Sequence, residues 1–185
     1  MEPSEAEIII GCLAGNASSQ RMLYKRFAGK MFLVCLRYMR SREEAEDILH
    51  EGFMNVFEKL RQFKSDGSFE GWIRRIMVNK SIERLRTLSH MHVMINIEEI
   101  DEEFISAEDI LSSIASKDLL SMIQELPFYS RMVFNMYIFE GMKHKEIAEQ
   151  LGVSLSTSKS NLSYARTILK RKIRGSIIIT KEKNA

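Results

Sequence analysis

The chain has 185 residues, 45% hydrophobic and 28% charged, with a formal net charge of +2. This is the composition of a folded chain of one medium domain or two small ones, and it excludes a disordered or fibrous class. No run of about 18 apolar residues occurs, so a membrane-spanning helix is not expected.

Only two prolines and nine glycines point to few turns and long helices, hence an all-α fold. The opening MEPSEAEIII is acidic where a secretory signal would be basic, so a cytoplasmic chain is expected. Cys12 and Cys35 stand alone, without CxxC or Cys/His spacing, and read as small core hydrophobes. No cofactor or metal is expected.

Charge is unevenly distributed. Residues 88–111 contain seven acids and no Lys or Arg, whereas the stretches on both sides are net basic. Two basic blocks around an acidic one predict two modules and a linker. The expected layout is 1–89, a linker at 90–112, a second module at 113–175 and a tail at 176–185. Basic modules suit a polyanion, above all nucleic acid.

In chain order, Glu5 to Ala14 predicts a short apolar helix, ended by the turn signal Gly15-Asn16. Ala17 to Met39 predicts a second, with Leu23, Phe27, Met31 and Val34 at helical spacing. Ser41 and Glu44 form a capping box that starts a third helix, running to about Phe63. Its apolar stripe is Ala45, Ile48, Leu49, Phe53, Val56, Phe57 and Leu60. Its other face carries Glu43, Asp47, His50, Glu51 and Asn55, either a solvated surface or a docking surface for a basic partner.

The stretch FKSDGSFEGWIRRIMVNKSIERLR predicts a polar loop, Lys64 to Ser68, and a fourth helix capped by Ser68. Phe69, Trp72, Ile73 and Ile76 are its expected core face. Arg74, Arg75, Asn79, Lys80, Arg84 and Arg86 form the other, suited to a strand-binding groove. The linker NIEEIDEEFISAED follows, preceded by His90-x-His92, a weak metal signal.

In the second module, Leu119, Leu120 and Ile123 begin an amphipathic helix. Pro127 suits the first turn of the next. Val133, Phe134, Tyr137 and Ile138 are its expected core face, and Gly141 its cap. Ile147, Ala148 and Leu151 are the buried side of a short helix that Gly152 ends. Ser154 can cap the last helix, whose inward stripe is Ser158, Leu162, Ala165 and Leu169. Ser156, Thr157, Lys159, Ser160, Ser163 and Tyr164 then point outward near its start. This is a helix-turn-helix with short hydrogen-bonding and cationic side chains on the half that enters a major groove. Lys170, Arg171, Lys172 and Arg174 suit phosphates.

Together these stretches resemble the extracytoplasmic-function (ECF) sigma factors of bacterial RNA polymerase, of the sigma-70 family. DILHEGFMNVFEKL resembles the polymerase-docking helix of sigma region 2. FKSDGSFEGWIRRIMVNKSIERLR resembles its −10 recognition loop and helix. ELPFYSRMVFNMYIFEGMKHKEIAEQLGVSLSTSKSNLSYAR resembles the helix-turn-helix of sigma region 4. The resemblance covers about Glu5 to Ile173.

It implies a non-enzymatic subunit that directs core polymerase to promoters and assists DNA melting. Asp47, His50, Glu51 and Asn55 would face the polymerase. Phe63, Lys64, Ser65, Ser68, Asn79, Lys80 and Arg84 would hold the non-template strand of the −10 element. Thr157, Lys159, Ser160, Ser163, Tyr164 and Arg166 would read the −35 duplex. An anti-sigma factor is an implied partner; a small-molecule substrate is not. The chain departs from the family pattern at several positions. Asn161 and Tyr164 stand where arginine is common, His50 where glutamine is frequent, and Glu83 where aspartate is frequent. Lys143 takes the place of a good helix cap, predicting a weaker start there. The alternative class is a dimeric helix-turn-helix regulator that acts without being a polymerase subunit.

Overall fold

The computed structural model describes residues 3–89 and 116–183. The acidic linker, His90 and His92 lie outside the described residues, as do the side chains of the Ser176–Thr180 tail. Among the described residues all regular structure is helical. The chain divides into two compact units, Met1–Val93 and Met94–Ala185.

In the first unit, α1 (Glu5–Leu13) starts at Ser4, whose hydroxyl oxygen accepts from the Glu7 N–H at 3.3 Å. Gly15, at φ +76°, takes the left-handed turn that the sequence predicts there. Asn16 then caps α2 (Ala17–Tyr38), its Oδ1 accepting from the Ser19 N–H at 3.0 Å. Leu23, Phe27, Met31, Val34 and Tyr38 are buried along one side of α2.

Ser41 caps α3 (Arg42–Lys59), accepting from the Glu44 N–H at 3.1 Å. The Glu44 carboxylate takes the N–H of Arg40 instead of that of Ser41, one residue further out than a capping box requires. Ala45, Ile48, Leu49, Phe53 and Val56 are buried, the four larger side chains contributing about 1.5–3 kcal/mol each on leaving water. A 3-10 turn, Leu60–Gln62, ends this element, so the α-helix stops before Phe63.

α4 (Phe69–Ser89) lies against α2 and α3. Its core face departs from expectation. Phe69, Ile73, Met77, Ser81 and Leu85 are buried, with Val78 and Ile82 beside them, whereas Trp72 and Ile76 are half-buried. The inward row advances by steps of four, which leaves positions 72 and 76 about 100° off its axis. Gly52 of α3 faces Met77 of α4: a Cβ there would lie 2.2 Å from the Met77 sulfur.

In the second unit, α5 (Ser116–Gln124) buries Leu119, Met122 and Ile123. Pro127 occupies the cap position of α6 (Phe128–Ile138), one residue earlier than predicted, and its carbonyl accepts the Arg131 N–H at 2.9 Å. α6 is buried on every side from Ser130 to Met136, while Tyr137 and Ile138 of its expected core face are half-buried. A helix packed on several neighbours loses a single apolar stripe; here those neighbours include α7 (His144–Leu151) and α8 (Leu155–Lys183). α7 starts without a side-chain cap at Lys143, whose N–H is taken by the Glu146 carboxylate at 2.7 Å. Gly152 closes it at φ +66°, and the Ser154 hydroxyl oxygen accepts the Thr157 N–H at 3.0 Å to open α8.

Candidate nucleic-acid interface

α7, the left-handed Gly152 and α8 form a helix-turn-helix. Ser158, Leu162, Ala165 and Leu169 are buried, as their spacing predicts. Lys159 and Ser160 are exposed, and Ser163 and Tyr164 half-exposed. Ser156, Lys159, Ser160, Ser163 and Thr167 therefore share one outward face of α8. Ser156 and Thr167 are absent from the residues that the family resemblance singles out, although their three- and four-residue offsets from Lys159 and Ser163 place them beside these two.

The hydroxyls on this face are already oriented. Ser160 Oγ donates to the Thr157 carbonyl at 3.1 Å, and Thr167 Oγ1 to that of Ser163 at 3.1 Å. Thr157 Oγ1 lies 2.7 Å from Ser154 Oγ, so this hydroxyl helps close the start of α8. Arg166 behaves differently from Lys159. Its guanidinium lies over the Tyr137 ring at 5.9 Å, directed to α6.

Asn161, at a position where the resemblance leads to arginine, is buried. Its amide donates to the Thr157 carbonyl at 2.9 Å and its Oδ1 accepts from Ser130 Oγ at 2.9 Å. It joins α6 to α8 and is not a surface contact. His144 adds a second tie: its ring stacks on Tyr137 at 4.7 Å, and its Nδ1 lies 2.9 Å from Ser158 Oγ. Burial, then the nearby charges of Lys159 and Arg166, hold its pKa below the usual value.

In the first unit, the loop before α4 carries Lys64, Ser65 and Ser68, all exposed. Ser65 has φ +60°, a left-handed conformation uncommon outside glycine. Ser68 Oγ accepts the Gly71 N–H at 3.1 Å and fixes the loop to α4. Beside the loop, Phe63 contacts Phe69 at 5.0 Å and Trp72 at 5.6 Å, and Trp72 stacks on Phe69 at 5.7 Å. Phe69 is the buried member, and Trp72 keeps part of its ring in solvent.

The polar face of α4 divides in two. Arg75, Asn79 and Arg86 are exposed on the side that also carries the open part of Trp72. Lys80 and Arg84 are half-buried on the other flank, Lys80 paired with Glu83 at 3.0 Å and Arg84 with Glu51 of α3. Arg74 lies 4.0 Å from Glu70. The six polar residues thus do not make one surface.

Asp47, His50 and Glu51 are exposed on α3, with Asn55 half-exposed and donating to the Glu51 carbonyl at 2.9 Å. Met54 stands among them, 62% exposed. Sequence pattern alone passes over it, because a lone apolar residue on a polar face carries no periodic signal. Among the described residues, no three His, Cys, Asp or Glu converge as a metal site requires, and no helix is long and apolar enough to cross a membrane.

Comparison with known proteins matches these two units separately. The model of sigma-70 region 2 matches residues 23–90, and that of sigma-70, region 4 matches residues 116–169. The chain is 27% identical over 154 residues to the ECF RNA polymerase sigma factor SigE of Mycolicibacterium smegmatis, covering 80% of this chain and 59% of that protein. It is 25% identical over 170 residues to the ECF RNA polymerase sigma factor SigM of Mycobacterium tuberculosis, covering 92% and 85%. In fold it is similar to the sigma factor RpoE of Bartonella quintana, solved with the anti-sigma factor NepR. That likeness has a TM-score of 0.50 at 16% identity and covers 83% of this chain and 96% of the other.

Proposed function

Because the chain belongs to the sigma-70 family, with regions 2 and 4 in order along its length, we propose that it is an ECF-type promoter-specificity subunit of bacterial RNA polymerase. Region 4 reads the −35 element as duplex. Lys159, Ser160 and Ser163 of α8 supply a donor and two donor/acceptors to base edges, and Tyr164 an aromatic edge and a hydroxyl. Lys170 and Arg171 follow on the same helix and suit the phosphates. Region 2 takes the −10 element after melting. An unstacked base costs a few kcal/mol, offset by the loop Lys64 to Ser68, the aromatic cluster at Phe63 and the polar side of α4 with Asn79.

Asp47, His50 and Glu51 of α3 dock on core polymerase. An anti-sigma factor covering these surfaces is the expected means of control. Two weak DNA contacts on one tethered chain suffice, since binding one element raises the effective concentration at the other. None of these steps asks the chain for bond-making chemistry.

The observation that carries this reading is the pairing of a helix-turn-helix unit with a second unit whose basic helix follows a capped, aromatic-flanked loop. A dimeric regulator has no use for the second. In vitro transcription with core polymerase on a promoter library is the test. Specific transcripts that require both the chain and core polymerase are the expected result. A promoter shift by the chain alone, with no effect on core polymerase, would move it to the class of free-standing regulators.

A further inference from the structure

Ser160 and Asn161 are neighbours on α8 with opposite surroundings: Ser160 is exposed on the outward face and Asn161 is buried. Both side chains turn to the same atom. The Thr157 carbonyl oxygen accepts from Asn161 Nδ2 at 2.9 Å and from Ser160 Oγ at 3.1 Å. In an α-helix the backbone N–H of residue 161 is directed to that same oxygen. A carbonyl oxygen has two lone pairs, so three donors share two places.

The amide has the firmer claim. A carbonyl can only accept, so Asn161 must face Thr157 with its NH2 group. Its Oδ1 then points to α6, where the buried Ser130 hydroxyl donates to it at 2.9 Å. Turning the amide over would set oxygen against oxygen at Thr157 and leave buried groups unsatisfied, which is costly. Ser160 is in the reverse position. Its hydroxyl rotates and lies in solvent, where water or a base edge replaces the Thr157 carbonyl at little cost. Thr167, on the same face, is held differently. It donates to the Ser163 carbonyl at 3.1 Å, and with its own helical N–H that makes one donor for each lone pair.

The difference matters in a major groove. A hydroxyl whose hydrogen is held by its own helix shows only lone pairs and matches cytosine N4 or adenine N6. One whose hydrogen is released donates to guanine O6 or N7 or to thymine O4.

We propose that Asn161 is a positioning residue for −35 reading: by occupying the Thr157 carbonyl it releases the Ser160 hydroxyl hydrogen to the DNA and makes Ser160 a donor to the base it meets. This rests on the sigma-factor reading and deepens it, since the buried residue at 161 sets how the exposed residue at 160 reads.

The test uses holoenzyme and a promoter library randomised over the −35 element. Ser160→Ala, a surface change, first identifies the base pair that Ser160 meets, as the one where the parental preference is lost. The double variant Ser130→Ala, Asn161→Leu then removes the amide together with its buried partner, so that neither is left unpaired. At that pair the preference is expected to move by roughly fivefold from guanine or thymine towards cytosine or adenine, with the order at the other pairs kept. Threonine in place of that leucine is expected to restore the parental preference, because its hydroxyl donates to the carbonyl four residues back. Ser130→Ala alone leaves the amide on Thr157, and is expected to lower the melting temperature and keep the parental preference.

A purely structural role for Asn161 gives another pattern: Ser130→Ala and the double variant weaken transcription from all sequences alike. That result overturns the proposal, as does a double variant with the parental preference. A shift in the double variant that persists when Ser160→Ala is added overturns it too, because the effect then bypasses Ser160. A Ser160→Ala chain that keeps the parental preference at every pair does the same, and this outcome stands even if the double variant fails to fold. If the parental chain and core polymerase give no transcript that depends on the −35 element, the sigma-factor reading itself fails, which is seen before any variant is compared.

Discussion

The Nδ1 atom of His144 lies 2.9 Å from the hydroxyl oxygen of Ser158, tying the first residue of α7 to the buried side of α8. The bond holds the turn between the two helices at a fixed angle, and so sets how α8 is presented. The imidazole sits in a setting hostile to charge: burial first, then the cations Lys159 and Arg166, lower its pKa from the ordinary histidine value of 6.5.

The sign of the pH effect follows. A histidine with a depressed folded-state pKa is protonated in the unfolded chain first, so the unfolded state binds more protons just below pH 6.5. The melting temperature of the second unit is therefore expected to fall as pH drops below about 6.5, levelling off beneath the folded-state pKa. His144→Asn removes this component of the pH dependence. Thermal melts of parent and variant between pH 8 and 5 decide it; parallel curves through the window would exclude the role.

Most of the fold was legible in the sequence. Caps at Ser41, Ser68 and Ser154 mark helix limits because each satisfies a specific backbone group, as do the turns at Gly15 and Gly152; the cap at Asn16 was legible only as part of a turn. The stripes of α2, α3 and α8 were legible because each helix buries one side. α4 and α6 were less so. α6 is enclosed on several sides, so no single stripe exists, and the inward row of α4 runs through Met77 and Ser81 and leaves Trp72 at the edge. The site was legible where phase alone decides exposure, as at Lys159 and Ser160. It was not where a long side chain chooses its partner in three dimensions, as Arg166 does with Tyr137 and Arg84 with Glu51.

Gly52 allows α3 and α4 to approach. Gly52→Ala would place its methyl 2.2 Å from Met77 Sδ and 2.9 Å from Met77 Cε, and Met77 is fully buried. Met77 must adopt another rotamer in a dense core, at a cost of roughly 1–3 kcal/mol. Denaturant unfolding of the variant is expected to show a lowered midpoint at unchanged slope. A midpoint equal to the parent's would show that the core has room to spare.

Phe69 and Trp72 stack, but only Phe69 is enclosed. Phe69→Ala is expected to cost about 3–5 kcal/mol. Trp72→Ala should cost less, because part of the ring is already solvated and the aromatic pairing itself is worth about 0.5–1.5 kcal/mol. Equilibrium unfolding of both variants ranks them; a Trp72 loss equal to that of Phe69 would place the indole in the core after all.

On α3, Asp47 is exposed, whereas Glu51 is paired with Arg84. Reversing Asp47 to Lys leaves that pair untouched, so it isolates docking from packing. Its expected effect is a loss of core-polymerase affinity on the order of tenfold, carried mainly by slower association at low salt. Glu51→Lys should add a change at Arg84, and with it an effect on −10 DNA. Association rates measured at two salt concentrations separate these outcomes, and an Asp47→Lys chain that binds core polymerase at the parental rate would remove this face from the interface.

On α8, base reading and phosphate holding are expected to divide by position. Lys159 and Ser160 are exposed in the first two turns, where a recognition helix meets base edges. Lysine donates to guanine O6 or N7, and a hydroxyl donates or accepts at any base, each contact discriminating by roughly 1–3 kcal/mol when well placed. Lys170 and Arg171 lie about three turns further along and suit phosphates. Lys159→Ala and Ser160→Ala should therefore reorder which −35 sequences are transcribed. Lys170→Ala and Arg171→Ala should weaken all sequences alike and make the salt slope shallower by about 0.9 for each phosphate that goes unneutralised. Arg166→Ala is the internal control. Its guanidinium packs over Tyr137, so it should lower the stability of the second unit and leave the ranking in place. Transcription from a randomised −35 library, scored for each variant, separates the three behaviours. If the Lys159 and Ser160 variants keep the parental ranking while Arg166→Ala changes it, the reading surface lies on the other flank of the helix.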